Sequence, residues 1–372
     1  MKKFLVLLLI ILTLNPIMDI SRCHATSEER TMATNTVKNK YYSKNLFYLS
    51  DLTPNTTQDF TFLNDFITIG GIVIDDISNH SLPLSKALNM RIEPEIINSN
   101  SKESHTCVAT LYYRYSNELD GIYIINSASN ITEEEKTYLI NEAIAEIHTI
   151  QSSYESTNIQ LLSSNEEATN IGNFTLATTC YPKGKIKANY MFFTAQNHNG
   201  KDYYTVKANI YGYPGATLAS SNSNYKTKFK GLSLKNHFET PTTSVTIDSY
   251  GPHRTIKTTS YSVSVGTSFE NMIPSGLDAN FSYSKNIPDT TIEATSTTKK
   301  SQWEISLSDE ARKQTINFVP ATTFVCPDTK ESITISASSD YTIDSWDTLK
   351  ETISTNIQVR CTASNCTKIE DE

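Results

Sequence analysis

The chain has 372 residues, of which 19% are charged, and its formal net charge at pH 7 is −8. A mildly acidic surface repels the phosphates of nucleic acids, so we expect no nucleic-acid partner. The length is sufficient for two domains. The low charge, together with 20 tyrosines and many serines, threonines and asparagines, is typical of β-strands with a neutral polar face.

The first residues have the pattern of an export signal. Lys2 and Lys3 precede an apolar run from Phe4 to Leu14, in which only Thr13 is polar. A basic start followed by a short apolar run is typical of a secretory signal peptide. The run has eleven residues, whereas a membrane-spanning helix needs about 20. We therefore expect this segment to direct export and not to span a membrane.

Two processing sites compete at the end of this signal. Cleavage after Ala25 would place small residues, Cys23 and Ala25, at the two positions that a signal peptidase recognises. Alternatively, Cys23 would be the lipid-modified first residue of a lipoprotein. Arg22 disfavours lipidation, because the position before such a cysteine normally holds a small residue. We predict that residues 1–25 are a signal peptide and that the mature protein is secreted.

The next part, residues 26–165, is predicted to be a small α+β domain. Uncharged or β-branched segments predict strands at Phe66 to Ile74, Cys107 to Tyr115 and Gly121 to Ile125. One amphipathic helix follows, and the polar stretch from Ser163 to Gly172 is the predicted domain boundary.

That helix is predicted from about Glu133 to Ser152. Thr132 and Glu135 have the spacing of a capping box, in which each side chain bonds the free backbone N–H of the other residue. The apolar positions that follow at helical spacing are Leu139, Ala143, Ile144, Ile147 and Ile150. They predict a single apolar stripe that packs on a sheet.

Residues 166–372 are predicted to form an all-β, sandwich-like domain. Strand-like pieces alternate with stretches that contain Gly, Pro and Asn, and no helical period is sustained. The predicted strands are Tyr190 to Thr194, Tyr203 to Tyr211, Thr242 to Ile247, Tyr261 to Phe269, Leu277 to Tyr283, Trp303 to Leu307, Ile333 to Ala337 and Asn356 to Arg360. The predicted fold class is therefore mainly β, with a small N-terminal α+β part before this domain.

The most regular pattern in the chain lies at residues 255–290, where two alternating arms flank the turn-rich stretch from Asn271 to Gly276. One face carries the apolar set Tyr261, Val263, Val265, Phe269, Leu277, Ala279, Phe281 and Tyr283. The opposite face carries the polar set Ser262, Ser264, Asn280 and Ser282. Because side chains alternate across a strand, this pattern predicts a long amphipathic hairpin with roughly nine residues in each arm.

This hairpin has two interpretations. Nine residues is close to the 9–11 that a tilted strand needs to cross a bilayer, so the apolar set would face lipid and the polar set a water-filled lumen. A single hairpin leaves backbone groups unpaired in lipid, so membrane insertion also predicts assembly with other copies. Alternatively, it is a half-buried hairpin of a soluble β-sandwich.

The region from Thr255 to Leu307 resembles the stem of a toxin family. After the hairpin come Ile287-Pro288-Asp289, a Thr/Ser-rich run, and Lys299-Lys300-Ser301-Gln302-Trp303-Glu304-Ile305. This order resembles the leukocidin/hemolysin family of secreted β-barrel pore-forming toxins. The resemblance implies a cytolysin whose hairpin is folded on the soluble monomer and unfolds into a shared barrel. It implies a target-cell membrane and a homo-oligomer as partners.

The sequence contains none of the common catalytic motifs. It lacks His-Glu-x-x-His, Gly-x-Ser-x-Gly, a phosphate loop and a dinucleotide fingerprint, and no two histidines are four residues apart. We therefore expect no enzyme activity, no metal and no cofactor. Two other classes stay open: a secreted or surface-associated β-sandwich binding protein or adhesin that never inserts, and a secreted enzyme with scattered site residues.

Five cysteines follow the predicted cleavage site: Cys107, Cys180, Cys326, Cys361 and Cys366. Outside the cytoplasm, disulfides are expected. The odd number predicts two bridges and one remaining thiol. The first predicted pair is Cys361 with Cys366, because the two are only five positions apart.

Overall fold

The computed structural model describes residues 45–51, 61–76, 84, 88, 90, 106–115, 119–127, 131–158, 169–198, 201–218, 229–251, 256–257, 261–262, 280–283, 291–309, 311–326, 332–344 and 350–368. These residues form one sheet of twelve strands and one of seven. The mainly β class that the sequence predicts is confirmed. The predicted signal peptide, residues 1–25, lies outside the described residues.

In chain order the strands are β1 (Leu46–Tyr48), β2 (Ile72–Asp75), β3 (Thr106–Tyr115), β4 (Leu119–Ser127), β5 (Thr169–Tyr181), β6 (Gly184–His198), β7 (Lys201–Pro214), β8 (Lys230–Glu239), β9 (Thr246–Gly251), β10 (Ile256–Lys257), β11 (Tyr261–Ser262), β12 (Asn280–Tyr283), β13 (Thr291–Ser296), β14 (Lys300–Ser306), β15 (Ile316–Val319), β16 (Ala321–Cys326), β17 (Ile333–Asp344), β18 (Glu351–Cys361) and β19 (Cys366–Lys368). The helices are α1 (Thr61–Thr68), α2 (Glu133–Asn158) and α3 (Gly215–Leu218), with short 3-10 turns at Leu49–Asp51 and Ala311–Lys313.

The large sheet has the strand order β1-β2-β3-β4-β5-β6-β7-β15-β12-β11, and β16 pairs with both β7 and β9. The pairs β1–β2 and β4–β5 are parallel, and the other pairs of this sheet are antiparallel. Since β4 and β5 lie on opposite sides of residue 165, one sheet continues across the predicted domain boundary. The division into two domains stays a prediction.

Helix α2 connects these two parallel strands, and its start matches the predicted capping box. The backbone N–H of Thr132 donates to Glu135 Oε2 at 2.9 Å, and the N–H of Glu135 donates to Thr132 Oγ1 at 3.2 Å. The helix continues to Asn158, beyond the predicted end at Ser152. Its buried side chains, packed on one face of the large sheet, are Leu139, Ile140, Ala143, Ile144 and Ile147. No helix among the described residues has the length and apolar character of a membrane span.

The strand predicted from Phe66 to Ile74 is wrong in its first half. Residues 61–68 are helical, and the chain turns at Gly70, where φ is 87°, before β2 begins at Ile72. The N–H of Gly71 donates to the carbonyl oxygen of Phe66 at 3.0 Å and ends the helix. The buried residues Leu63, Phe66 and Ile67 follow helical spacing. The β-branched composition predicts one strand, whereas the segment forms the end of a helix followed by a short strand.

The small sheet has the strand order β10-β13-β14-β8-β17-β18-β19. It packs face to face on the large sheet, and both contribute to one buried core that contains Phe174, Tyr190 and Phe192 of the large sheet and Trp303, Phe238 and Tyr341 of the small one. The fold is therefore a sandwich, with α2 on the outer face of the large sheet.

Polar contacts also join the two sheets. The hydroxyl of Tyr190 lies 2.8 Å from Ser339 Oγ and donates to the carbonyl oxygen of Thr355 at 3.0 Å. At another point, Lys183 Nζ lies 2.6 Å from the Glu351 carboxylate in an ion pair that is largely buried. These partners are more than 140 positions apart in sequence. Their contacts help to fix the position of one sheet on the other.

The strands predicted after residue 166 are mostly confirmed. Those at 190–194, 203–211, 333–337 and 356–360 lie within longer strands, and β14 covers most of the one predicted at 303–307. Thr242 to Val245 form a turn instead of a strand, and β9 begins at Thr246. The Thr240 and Thr242 hydroxyls explain the difference, because Thr240 Oγ1 accepts from the Thr242 N–H and Thr242 Oγ1 accepts from the Thr334 N–H.

Candidate functional site

Two short strands of the predicted hairpin are described, and they pair with each other. In the antiparallel pair of β11 with β12, Tyr261 lies opposite Phe281 and Ser262 opposite Asn280. Each pair joins residues of the same predicted set, apolar with apolar and polar with polar. The remaining site residues of these sets, Val263, Ser264, Val265, Phe269, Leu277 and Ala279, lie outside the described residues. The assignment of faces to lipid and lumen stays a prediction.

The hairpin is attached to the body of the protein through β12, which pairs with β15 at the edge of the large sheet. The opposed residues are Asn280 and Val319, Phe281 and Phe318, Ser282 and Asn317, and Tyr283 and Ile316. On β15, Ile316 and Phe318 are fully buried in the core between the sheets. Strand β15 is thus packed into the core, and the hairpin pairs with the outer edge of β15 through β12.

The base of the hairpin belongs to the other sheet. Strands β10 and β13 pair with Ile256 opposite Ile292 and Lys257 opposite Thr291, and β13 continues the small sheet through β14. The chain therefore passes from the small sheet to the large sheet between Lys257 and Tyr261. It returns to the small sheet between Tyr283 and Thr291.

Trp303, the tryptophan of the stem-like region, lies where these elements meet. It is fully buried in β14, and its ring makes edge contacts with Phe238, Tyr250 and Phe318 at centroid distances of 5.6, 6.1 and 6.2 Å. Phe318 is the residue opposite Phe281 of the hairpin. Trp303 therefore links the small sheet to the strand that holds the hairpin.

The turn that joins β13 to β14 is held by side-chain contacts. Thr297 Oγ1 accepts hydrogen bonds from the backbone N–H of Lys299 and of Lys300, at 3.3 and 3.0 Å. Lys299 Nζ donates to the Thr242 carbonyl oxygen at 2.9 Å. Burial lowers the pKa of His237 on the adjacent strand β8, and the positive charge of Lys300 lowers it further. The turn between β13 and β14 is therefore held by its own hydrogen bonds and by the contact of Lys299 with Thr242.

A second cluster lies on the face of the large sheet that α2 covers. Glu146 of α2 accepts hydrogen bonds from Lys185 Nζ at 2.8 Å and from Lys187 Nζ at 2.6 Å. Burial opposes ionisation of Glu146, but the two lysines outweigh it and lower its pKa to about 2. The lysines also lie over the rings of Tyr213 and Tyr211, at 4.2 and 4.8 Å from the ring centroids.

Sequence reasoning missed this cluster. Lys185 and Lys187 are two positions apart on one strand, as are Tyr211 and Tyr213 on the next, so each pair shares a face. Burial raises the pKa of Tyr213 above its ordinary value, which keeps the phenol neutral. The alternation was visible in the sequence, but the pairing of β6 with β7 under Glu146 was not.

The predicted bridge between Cys361 and Cys366 is present, and it closes the turn between β18 and β19. Cys107, Cys180 and Cys326 are thiols, the first exposed and the other two buried. The described cysteines therefore form one disulfide, whereas the sequence predicts two. Cys180 instead donates a hydrogen bond to the Glu351 carboxylate across the two sheets, at 3.2 Å.

The chain matches no known family and no curated protein. Among solved structures, Clostridium perfringens delta-toxin is 12% identical over 56% of this chain and 99% of that chain, with a TM-score of 0.33. A structure described as a pore forming protein is 9% identical over 55% of this chain and 100% of that chain, with a TM-score of 0.30. The Clostridium perfringens NetB toxin in its membrane-inserted form is 8% identical over 54% of this chain and 100% of that chain, with a TM-score of 0.30. At these TM-scores the likeness is partial, and no function of this chain follows from it.

Proposed function

We propose that this chain is a secreted cytolysin that inserts residues 255–290 into target membranes as a β-hairpin, in an oligomer with other copies of itself. One observation carries the proposal. The hairpin has its base in the small sheet, through β10 and β13, but is held to the edge of the large sheet through β12. It can therefore leave the large sheet while its base stays attached.

The backbone ladder that has to break in this release is short. The ladder between β12 and β15 has four residue pairs. A backbone hydrogen bond contributes roughly 0.5–1.5 kcal/mol net, so the ladder contributes on the order of a few kcal/mol. Strand β15 also pairs with β7, so it stays in the large sheet when β12 leaves. A membrane that binds the released hairpin can offset this cost.

The alternating pattern supplies the chemistry for insertion. The apolar set would face lipid, and the small polar residues of the other set would line a narrow aqueous channel. Since one hairpin leaves two strand edges unpaired, a stable inserted state requires neighbouring copies that complete a closed barrel. The proposal assigns the protein neither a catalytic role nor a cofactor.

The test is permeabilisation by the mature chain, residues 26–372. We expect this protein to release a trapped dye from phosphatidylcholine–cholesterol vesicles or to lyse red cells, and to run as an oligomer when extracted from those membranes. Binding to cells without release of dye or haemoglobin would contradict the proposal, and would instead support the non-inserting binding protein or adhesin. N-terminal sequencing of secreted material should begin at Thr26.

A further inference from the structure

The two ladders of the hairpin have different registers. In the base ladder, between β10 and β13, Lys257 lies opposite Thr291. In the docked ladder, between β11 and β12, Tyr261 lies opposite Phe281, and β12 is held on β15. Along the outgoing arm, three residues, 258–260, separate the two ladders, whereas nine residues, 282–290, separate them along the returning arm. In an uninterrupted antiparallel hairpin both arms have the same length. The docked ladder is therefore not a continuation of the base ladder.

We propose that the two arms of the hairpin re-pair when the hairpin leaves β15. Their register shifts by six residues, so that the register of the base continues along the whole length of the hairpin. Tyr261 then lies opposite Ile287 instead of Phe281. This inference rests on the proposed function, because it describes the hairpin in the membrane. The physical reason is that every backbone N–H and C=O in lipid must be bonded, so the part of the inserted hairpin that lies in lipid has to form one unbroken ladder.

A shift of six residues preserves the two faces. Side chains alternate with a period of two, so an even shift keeps each residue on its own face of the hairpin, and an odd shift would move it to the other face. In the continued register Val265 lies opposite Tyr283, and Phe269 lies opposite Ala279. Two members of the apolar set then have polar partners, because Val263 lies opposite Lys285 and Leu277 lies opposite Asn271. The polar set stays aligned as well, since Ser264 lies opposite Ser284.

The continued register also agrees better with the turn residues. Residue 274 is midway between Lys257 and Thr291, whereas residue 271 is midway between Tyr261 and Phe281. Position 274 is a proline at the centre of the sequence Asn-Met-Ile-Pro-Ser-Gly, and such residues favour chain reversal. Each arm then has fifteen residues beyond the base, 258–272 and 276–290, which exceeds the 9–11 residues or so that a tilted strand needs to cross a bilayer.

The test is cysteine cross-linking in a Cys107→Ser background, which removes the exposed native thiol. Tyr261→Cys with Phe281→Cys reports the docked register, and Tyr261→Cys with Ile287→Cys reports the continued register. Lys257→Cys with Thr291→Cys is the matched control, because this base pair is the same in both registers. The probe membrane is the phosphatidylcholine–cholesterol vesicle loaded with dye.

In solution we expect the 261–281 and 257–291 bridges to form and the 261–287 bridge not to form. On vesicles the 261–287 bridge should form. The oxidised 261–281 variant should lose dye release and regain it on reduction, while the oxidised 257–291 variant keeps it. Dye release by the oxidised 261–281 variant overturns the re-pairing. If the wild type and the reduced variants release no dye, the proposed function is overturned. If the 261–281 bridge also still forms on the same vesicles, the re-pairing is overturned too.

Discussion

Ser282 lies directly opposite Asn317 in the ladder that joins β12 to β15. Asn317 is only partly buried, and its amide donates to the backbone carbonyl oxygen of Ile210 at 3.4 Å. This pair therefore connects the hairpin to the body at a position outside the apolar core. Residues directly opposite in an antiparallel pair have Cβ atoms about 4.5–5.5 Å apart, which is close enough for a disulfide after a small adjustment.

A bridge between Ser282→Cys and Asn317→Cys should hold the hairpin on the large sheet. We expect the oxidised double variant to lose dye release from vesicles and to recover it when the bridge is reduced. Asn317→Cys alone, under the same oxidising conditions, serves as the control and should behave like the wild type. Full release by the bridged protein would show that β12 does not need to leave β15.

Charged substitutions on the two predicted faces of the hairpin should have different effects. Phe281→Asp would place a charge in hydrocarbon, at a cost somewhat below the roughly 2–4 kcal/mol per chain that Arg or Lys costs near the midplane. Ser264→Asp would place the charge in the lumen, so assembly should persist and cation selectivity should rise. Single-channel recording in a planar bilayer measures both properties. Equal loss of conductance in both variants would contradict the assignment of faces.

Glu146 should make the stability of the fold depend on pH in the acid range. Its pKa in the folded protein is about 2, below the ordinary value of 4.5, because Lys185 and Lys187 outweigh the effect of burial. A depressed pKa means that the stabilisation is complete above about pH 4.5 and is lost as the pH falls towards 2. The difference in unfolding free energy between wild type and Glu146→Gln should therefore shrink across this range.

The same substitution removes the negative partner of two largely buried lysines. We expect Glu146→Gln to lower the unfolding free energy at pH 7 by about 3 kcal/mol in urea titrations. Glu142→Gln on the exposed side of α2 is the matched control and should stay within roughly 0.5 kcal/mol of the wild type. Similar losses in both variants would mean that the ion pairs with Glu146 do not stabilise the attachment of α2.

Trp303 should be essential for the packing of the two sheets. Trp303→Ala would leave a cavity beside Phe238, Tyr250 and Phe318 and should cost about 3–5 kcal/mol of unfolding free energy. Trp303→Phe keeps an aromatic ring and should cost less. Urea unfolding followed by circular dichroism measures both variants. Wild-type stability of Trp303→Ala would show that the contact between β14 and β15 does not hold the sandwich together.

Local features of this protein could be predicted from its sequence because they depend on residues close together in the chain. Thr132 and Glu135 are three positions apart, and their reciprocal hydrogen bonds start α2 where predicted. The bridge between Cys361 and Cys366 closes a turn of the same kind. Alternation also predicts that the two arms of the hairpin pair with each other, and Tyr261 lies opposite Phe281.

Contacts between distant parts of the chain were decided only by the tertiary structure. The composition of Phe66 to Ile74 favours a strand, yet burial of Leu63, Phe66 and Ile67 in the core makes its first half helical. Glu146 meets Lys185 and Lys187 because β6 lies beneath α2, about 40 positions further along the chain. The attachment of β12 to β15 likewise depends on which strand edge is available once both sheets have formed, because alternation specifies the faces of a strand and not its neighbour.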